Sequence, residues 1–216
     1  MTASATVLLD VDGTLIDSFP GIREGFVRAL KSVGHPLPDD EFIARIPGPP
    51  MRDSMYAAGL NGDEVARAML VYSEYMSGEG WRRFTVFDGM LELIEGWKAD
   101  GLGVVTATSK SEHFARLALE ETGMWPHLDF LGAANYDAGR ITKIDVIRHV
   151  LDSVDPARPL MVGDRIHDFH GAAEFGIPSV AVTWGYGTPE EWAEATHIAH
   201  TPDELDEIVR NHVAAQ

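Results

Sequence analysis

The sequence predicts an α/β protein built on an open parallel sheet, interrupted near its start by a helical insert. Short apolar runs rich in β-branched residues recur along the chain, helical stretches lie between them, and glycines close those stretches. Thr6–Val11 is the first such run and reads as a strand buried on both faces. The rhythm then breaks. From about residue 19 to 84 the pattern is helical at Ile22–Val33, Asp40–Arg45 and Asp63–Met76, with turns at His35–Pro38 and Pro47–Pro50 and no strand. Residues 19–84 are therefore expected to form a separate unit, inserted between residues 1–18 and residues 85–216 of the core.

Alternation resumes with a helix over Met90–Ala99, a strand over Leu102–Ala107 and helices over His113–Thr122 and Ile144–Asp152. A strand at Pro159–Val162, a helix at Asp168–Phe175 and a strand at Pro178–Val182 follow. Gly101, Gly123 and Gly176 each stand just beyond a helical run, where a left-handed closing residue is wanted. His197 and His200 fall in a short final strand. Thr201-Pro202-Asp203-Glu204 then combines an N-cap, a proline in the first turn and a glutamate at N3, opening a last helix through about Val213.

Composition excludes several function classes. Apolar residues make up 45% of the chain, as in ordinary globular proteins, and no run approaches the ~20 apolar residues a membrane span requires. Met1–Ala5 has neither a basic region nor an apolar cleavage-type segment, and there is no cysteine; both features suit a cytoplasmic enzyme. The formal charge of −17, from 34 acidic against 17 basic residues, repels nucleic acid and acidic membranes. It repels phosphorylated substrates as well, so a phosphate site here needs a metal ion and a few placed cations. The lysines number only four: Lys31, Lys98, Lys110 and Lys143.

Four short stretches fall at or near the C-terminal ends of predicted strands, the edge at which open parallel sheets bind ligands. In Asp10-Val11-Asp12-Gly13-Thr14, alternation turns two carboxylates the same way, and with no cation nearby they repel each other unless a divalent metal binds. With a hard cation present, one carboxylate can attack phosphorus while the other handles the leaving-group proton. A strand-end turn carrying two solvated aspartates is the alternative. The second stretch, Thr106-Ala107-Thr108-Ser109-Lys110, ends in hydroxyls able to hold a phosphoryl oxygen, Thr108 foremost. Its Ser-Lys order lacks the glycines of a triphosphate-binding loop. Lys143, the third feature, opens a helix, where a cation opposes the dipole unless an anion compensates. In the fourth, Gly163-Asp164-Arg165-Ile166-His167-Asp168, two acids one helical turn apart suit the oxygen-ligand preference of magnesium. His167 and His170 flank Asp168 at a spacing that speaks only weakly for zinc. Trp184, after a strand end, fits either the mouth of a cleft or plain packing.

This order of motifs (Asp-x-Asp-Gly-Thr, a strand-end Thr, a Lys, then Gly-Asp-x-x-x-Asp) resembles the haloacid dehalogenase-like hydrolase superfamily, in its phosphatase branch. Ala107-Thr108-Ser109-Lys110, Gly163-Asp164-Arg165 and Thr183-Trp184-Gly185-Tyr186-Gly187 are most similar to phosphoglycolate phosphatase-type members. The resemblance implies a Rossmann-like doubly wound parallel sheet core with an inserted helical cap domain. It implies that Asp10 is the nucleophile and passes through an aspartyl-phosphate, with Asp12 as acid and base. Thr108 and Lys143 are then expected to hold the phosphoryl group, with Ser109 and the cap residue Arg52 as further substrate contacts. Magnesium is expected at Asp10, Asp12 (through its backbone carbonyl), Asp164 and Asp168. The implied enzyme is a phosphatase of a small phosphorylated metabolite, a monomer or homodimer. Phosphoglycolate, a sugar phosphate or a nucleoside monophosphate fits as substrate, and a phosphomutase shares the pattern. Asp12 favours phosphoryl over carbon–halogen chemistry, and Lys31 is a poor candidate for the Schiff-base lysine of a phosphonate hydrolase.

Overall fold

The computed structural model describes residues 4–215. Met1–Ala3, at the head of the segment read for a leader, lie outside the described residues. The chain divides into two compact units, one of residues up to 16 together with 86 onward, the other of residues 17–85.

In chain order, the elements begin with β1 (Thr6–Leu9) and the two-residue β2 (Ile16–Asp17). Four helices follow: α1 (Phe19–Ser32), α2 (Asp40–Ala44), α3 (Met51–Ala57) and α4 (Gly62–Gly78), then β3 (Thr85–Val86), which pairs with β2. The remainder alternates: α5 (Met90–Ala99), β4 (Gly103–Ser111), α6 (Glu112–Glu121), β5 (Phe130–Ala134), α7 (Lys143–Val154), β6 (Pro159–Gly163) and α8 (Ile166–Ala173). β7 (Ser179–Val182), α9 (Pro189–Trp192), β8 (His197–Ala199) and α10 (Pro202–Ala214) complete it.

In the larger unit six strands form one parallel sheet in the order β5-β4-β1-β6-β7-β8. The apolar runs explain why β1, β4, β6 and β7 lie inside: both faces of each must be covered. From β1 the chain adds β4 and β5 on one side, then crosses back to add β6, β7 and β8 on the other. Right-handed crossovers put α5 and α6 on the face opposite α7 and α8, which makes the sheet doubly wound. Leu8, Val105 and Met161 of three neighbouring strands pack with Val146, Ile147 and Val150 of α7 and Ala172 of α8. Each such side chain contributes roughly 1.5–3 kcal/mol of burial free energy. Trp97 of α5 is buried and donates its indole N–H to Asp206 of α10 at 2.8 Å.

The helical unit is folded around its own core of Ile22, Phe26, Leu30, Ile43, Met55 and Val65. α4 opens on a capping box, Asn61 accepting from Glu64 N while the Glu64 carboxylate takes the Asn61 N–H. Several elements went unread in the sequence, β5 and α3 among them. β5 is Phe-Leu-Gly-Ala-Ala, an edge strand without a β-branched residue, whose central Gly132 admits the close approach of Thr106 and Val150. α3 is a two-turn helix starting directly after Pro50, the last residue of the turn read at Pro47–Pro50.

Candidate active site

The carboxyl edge of the sheet gathers the charged side chains. Asp10 follows the last residue of β1, and its backbone N–H donates to Val162 of β6 at 2.9 Å, so its position is fixed by ladder geometry. The chain then turns sharply through Gly13, at φ 82°, where Leu15 N–H reaches back to Val11. A Cβ at Gly13 would overlap the carboxylate of Asp164, so no side chain can stand there.

Lys143 is the first residue of α7, and that helix start is secured by Thr142 and Asp145 in a reciprocal capping box. Its ammonium is buried and reaches three acceptors: Asp10 Oδ1 at 2.9 Å, Asp168 Oδ1 at 2.6 Å and the Ala107 carbonyl at 2.7 Å. The contacts with Asp10 and the Ala107 carbonyl are hydrogen bonds, and the contact with Asp168 is an ion pair. The anions that compensate a cation at a helix N-terminus are Asp10 and Asp168. Burial works against the charged form of Lys143, yet the two carboxylates outweigh it and hold the pKa above its ordinary value. For Asp10 the balance goes the other way. Burial raises its pKa, Lys143 lowers it and Asp168 raises it again, leaving it at about 6, with the nearby Thr108 hydroxyl a smaller influence that lowers it.

Asp168 spends its other oxygen, Oδ2, on the Arg165 backbone N–H at 3.1 Å, which caps α8. Asp164 is fully buried; its Oδ2 accepts the Tyr186 N–H at 2.7 Å, and its Oδ1 has no hydrogen-bond partner. Burial, then Asp168 and Asp10, raise its pKa well above the usual carboxylate range. Asp10, Asp164 and Asp168 each bring one oxygen within 4.8 Å of the others. With all three carboxylates ionised, one ammonium leaves a negative charge of about two uncompensated, the amount a divalent cation neutralises. The orphaned Asp164 Oδ1 and an all-oxygen donor set fit a hard ion such as magnesium.

Asp12 differs from the expectation of two adjacent, cation-free carboxylates. Its carboxylate is not in the three-aspartate cluster; it is ion-paired through both oxygens to Lys110 Nζ, at 2.8 and 3.1 Å, with both side chains largely buried. Asp10 has Lys143 and Asp12 has Lys110. The case for a metal therefore rests on Asp164 and Asp168 joining Asp10, not on repulsion between Asp10 and Asp12. Lys110 was dismissed in sequence as the tail of a triphosphate loop. Its scarcity was the usable signal, since half of the chain's four lysines are buried in this site.

Thr108 is buried at the end of β4 and its hydroxyl accepts the Lys110 N–H at 3.1 Å. Ser109 lies in the irregular stretch that follows, where the pairing with β5 shifts register between Thr108 and Ser111. Arg52 is exposed on α3 in the helical unit. The cluster of possible metal ligands among the described residues includes neither His167 nor His170. A cavity of about 580 Å³, lined by residues such as Phe42, Arg45, Ile46 and Ser54, lies within the helical unit and contains none of the candidate catalytic residues.

Known proteins resemble this chain along most of its length. The sequence profile of the haloacid dehalogenase-like hydrolases matches residues 7–182. The tyrosine-protein kinase PtkA of Mycobacterium tuberculosis is 39% identical over 209 residues, covering 94% of this chain and 72% of that protein. A 5'-nucleotidase of Pseudomonas aeruginosa is 32% identical over 211 residues, 95% of this chain and 96% of its own length. A phosphoglycolate phosphatase of Cupriavidus necator is 30% identical over 190 residues, with 85% and 82% covered. Among solved structures, a predicted phosphatase from Clostridium acetobutylicum superposes with a TM-score of 0.90 at 30% identity, covering 97% of this chain and all of the other.

Proposed function

This chain belongs to the haloacid dehalogenase-like hydrolase family and is a phosphatase; from that premise we propose that it hydrolyses a small phosphorylated metabolite through an aspartyl-phosphate on Asp10. The observation that carries the reading is the convergence of Asp10, Asp164 and Asp168 around the Lys143 ammonium at the sheet's carboxyl edge. An Asp10 oxygen attacks phosphorus and the ester P–O bond breaks. The departing alkoxide takes a proton from Asp12. Water then attacks the aspartyl-phosphate, Asp12 accepts the proton, and the Asp10–phosphorus linkage breaks to release phosphate. Two easier steps replace direct attack of water on a phosphate monoester, which is extremely slow unaided. Lys143 holds Asp10 in place and, with Thr108, stabilises the transferring group. Asp10, Asp164 and Asp168, with the Asp12 carbonyl, would hold a magnesium ion, which would supply positive charge to the phosphoryl oxygens.

Phosphoglycolate and nucleoside monophosphates are the leading substrate classes, supported by the two full-length relatives that carry those names. The helical unit acts as a cap, and Arg52 is its candidate for gripping a second anionic group. The setting is the cytoplasm.

In a screen of phosphoglycolate, nucleoside monophosphates, sugar phosphates and para-nitrophenyl phosphate, phosphate release is expected with Mg²⁺, is lost in EDTA, and returns when Mg²⁺ is restored. The substrate is identified by the highest kcat/KM. Absence of phosphate release from every ester would overturn the reading, and isomerisation of a sugar phosphate without release would make the protein a mutase. The kinase relative supports a second reading, in which the phosphoryl group passes from a donor to a tyrosine hydroxyl instead of water. Labelled ATP distinguishes the two: label on tyrosine favours the kinase, label in free phosphate the phosphatase.

Lys110 clamps the carboxylate that exchanges protons with leaving group and water. Lys110→Met is expected to slow aliphatic phosphate esters about 10- to 100-fold, because their alkoxides need a delivered proton. Para-nitrophenyl phosphate, whose phenolate departs unaided, should slow far less. Equal losses on both substrates would show that Lys110 does not act through Asp12.

A further inference from the structure

We propose that the loop after β7, Trp184-Gly185-Tyr186-Gly187, is the positioning element that sets Asp164 for metal binding. The inference rests on the metal reading of the three-aspartate cluster and adds residues that lie outside it. Asp164 has two oxygens and no solvent. Tyr186 donates its backbone N–H to Oδ2 at 2.7 Å, which fixes the carboxylate's rotation and leaves Oδ1 as the oxygen without a partner. A backbone donor on one carboxylate oxygen is how proteins aim the other at a cation.

The loop reaches that position because it has no side chains where it meets the strand ends. A Cβ on Gly185 would overlap the Gly13 carbonyl and the Asp164 side chain. One on Gly187 would overlap the Asp164 carbonyl and stand 2.5 Å from the Trp192 indole nitrogen. Gly13, on the other side, excludes a side chain against the same carboxylate. Three glycines from two different loops thus close around one aspartate. Trp184 ties the arrangement together, its indole N–H donating to the Thr14 carbonyl at 3.0 Å, in the turn that carries Asp10 and Asp12. The turn after β1, the end of β6 and the loop after β7 are joined into one clasp. Packing alone would not require a buried N–H aimed at a carboxylate whose second oxygen has no partner.

The test reads metal binding without turnover, by following the melting temperature of EDTA-stripped protein as Mg²⁺ is added. Ligand binding to the folded state raises Tm in proportion to RT ln(1 + [Mg²⁺]/Kd). Gly185→Ala is expected to shift the Mg²⁺ response to concentrations about 10- to 100-fold higher, the usual cost of losing such a supporting contact. Trp184→Phe, which keeps an aromatic side chain but replaces the indole with a smaller phenyl ring and removes its N–H, should fall between Gly185→Ala and wild type. Gly96→Ala, on α5 with open space at its Cβ, serves as the control and should respond as wild type does. If Gly185→Ala fails to fold, Trp184→Phe decides. A wild-type Mg²⁺ response with unchanged midpoints in the variants overturns the clasp and leaves the phosphatase reading intact. No Mg²⁺ response in wild type overturns the metal reading, and the clasp falls with it.

Discussion

Asp10→Asn is expected to lower phosphate release by roughly 10⁴-fold or more, to the background rate, on every substrate. The amide keeps the shape of the side chain and can still accept a hydrogen bond from Lys143, but it cannot attack phosphorus. No acid-quenched phosphoenzyme should then be detectable by mass spectrometry. Stability should move the opposite way. Burial and Asp168 push the Asp10 pKa up to about 6 despite Lys143, so the ionised carboxylate sits in a site that disfavours it. Neutralising it should leave the Tm of the metal-free protein at pH 8 equal to wild type or a few degrees higher. Scanning calorimetry in EDTA reads this directly. Residual turnover within 100-fold of wild type would remove Asp10 from the role of nucleophile.

Lys143→Met is expected to cost about 10²- to 10³-fold in kcat, the range seen when one preorganised charge donor is lost. It should also destabilise the metal-free fold in a pH-dependent way. In wild type the protonated form of Asp10 is the one the fold favours, so its contribution is present below pH 4 and is lost as pH rises through about 6. Lys143 is the chief influence lowering that pKa, and without it Asp10 is pushed higher still. The Tm deficit of the variant should therefore be smaller at pH 5 and grow toward pH 8. There it reaches about 3 kcal/mol, or roughly 6–12 °C, because buried carboxylates have lost their cation. Mg²⁺ should recover part of it. A deficit equal at both pH values would mean that Lys143 does not act on stability through the ionisation of Asp10.

The strands were legible where one physical requirement dominated. A strand covered on both faces must be largely apolar, and β1, β6, β7 and the first half of β4 are. β5 was not, because an edge strand needs fewer β-branched residues and its Gly132 reads as a break. The sequence also named Asp10, Lys143, Asp164 and Asp168, each at a strand end or helix start where a charge is otherwise hard to justify. It misjudged the surroundings of Asp12. The ion pair with Lys110 joins residues 98 positions apart, and nothing local in either stretch marks it.

By itself, then, the sequence determined the class of fold and named the acidic residues that gather at the sheet's carboxyl edge. Apolar periodicity and helix-end chemistry act over a few residues and can be read from them. Only the tertiary structure decided which charges neutralise which. Lys143 went to Asp10 and Asp168, Lys110 to Asp12, and the Tyr186 N–H to one oxygen of Asp164. The strength of a buried charge pair depends on distance and desolvation, and neighbours in space come from strands far apart in the chain.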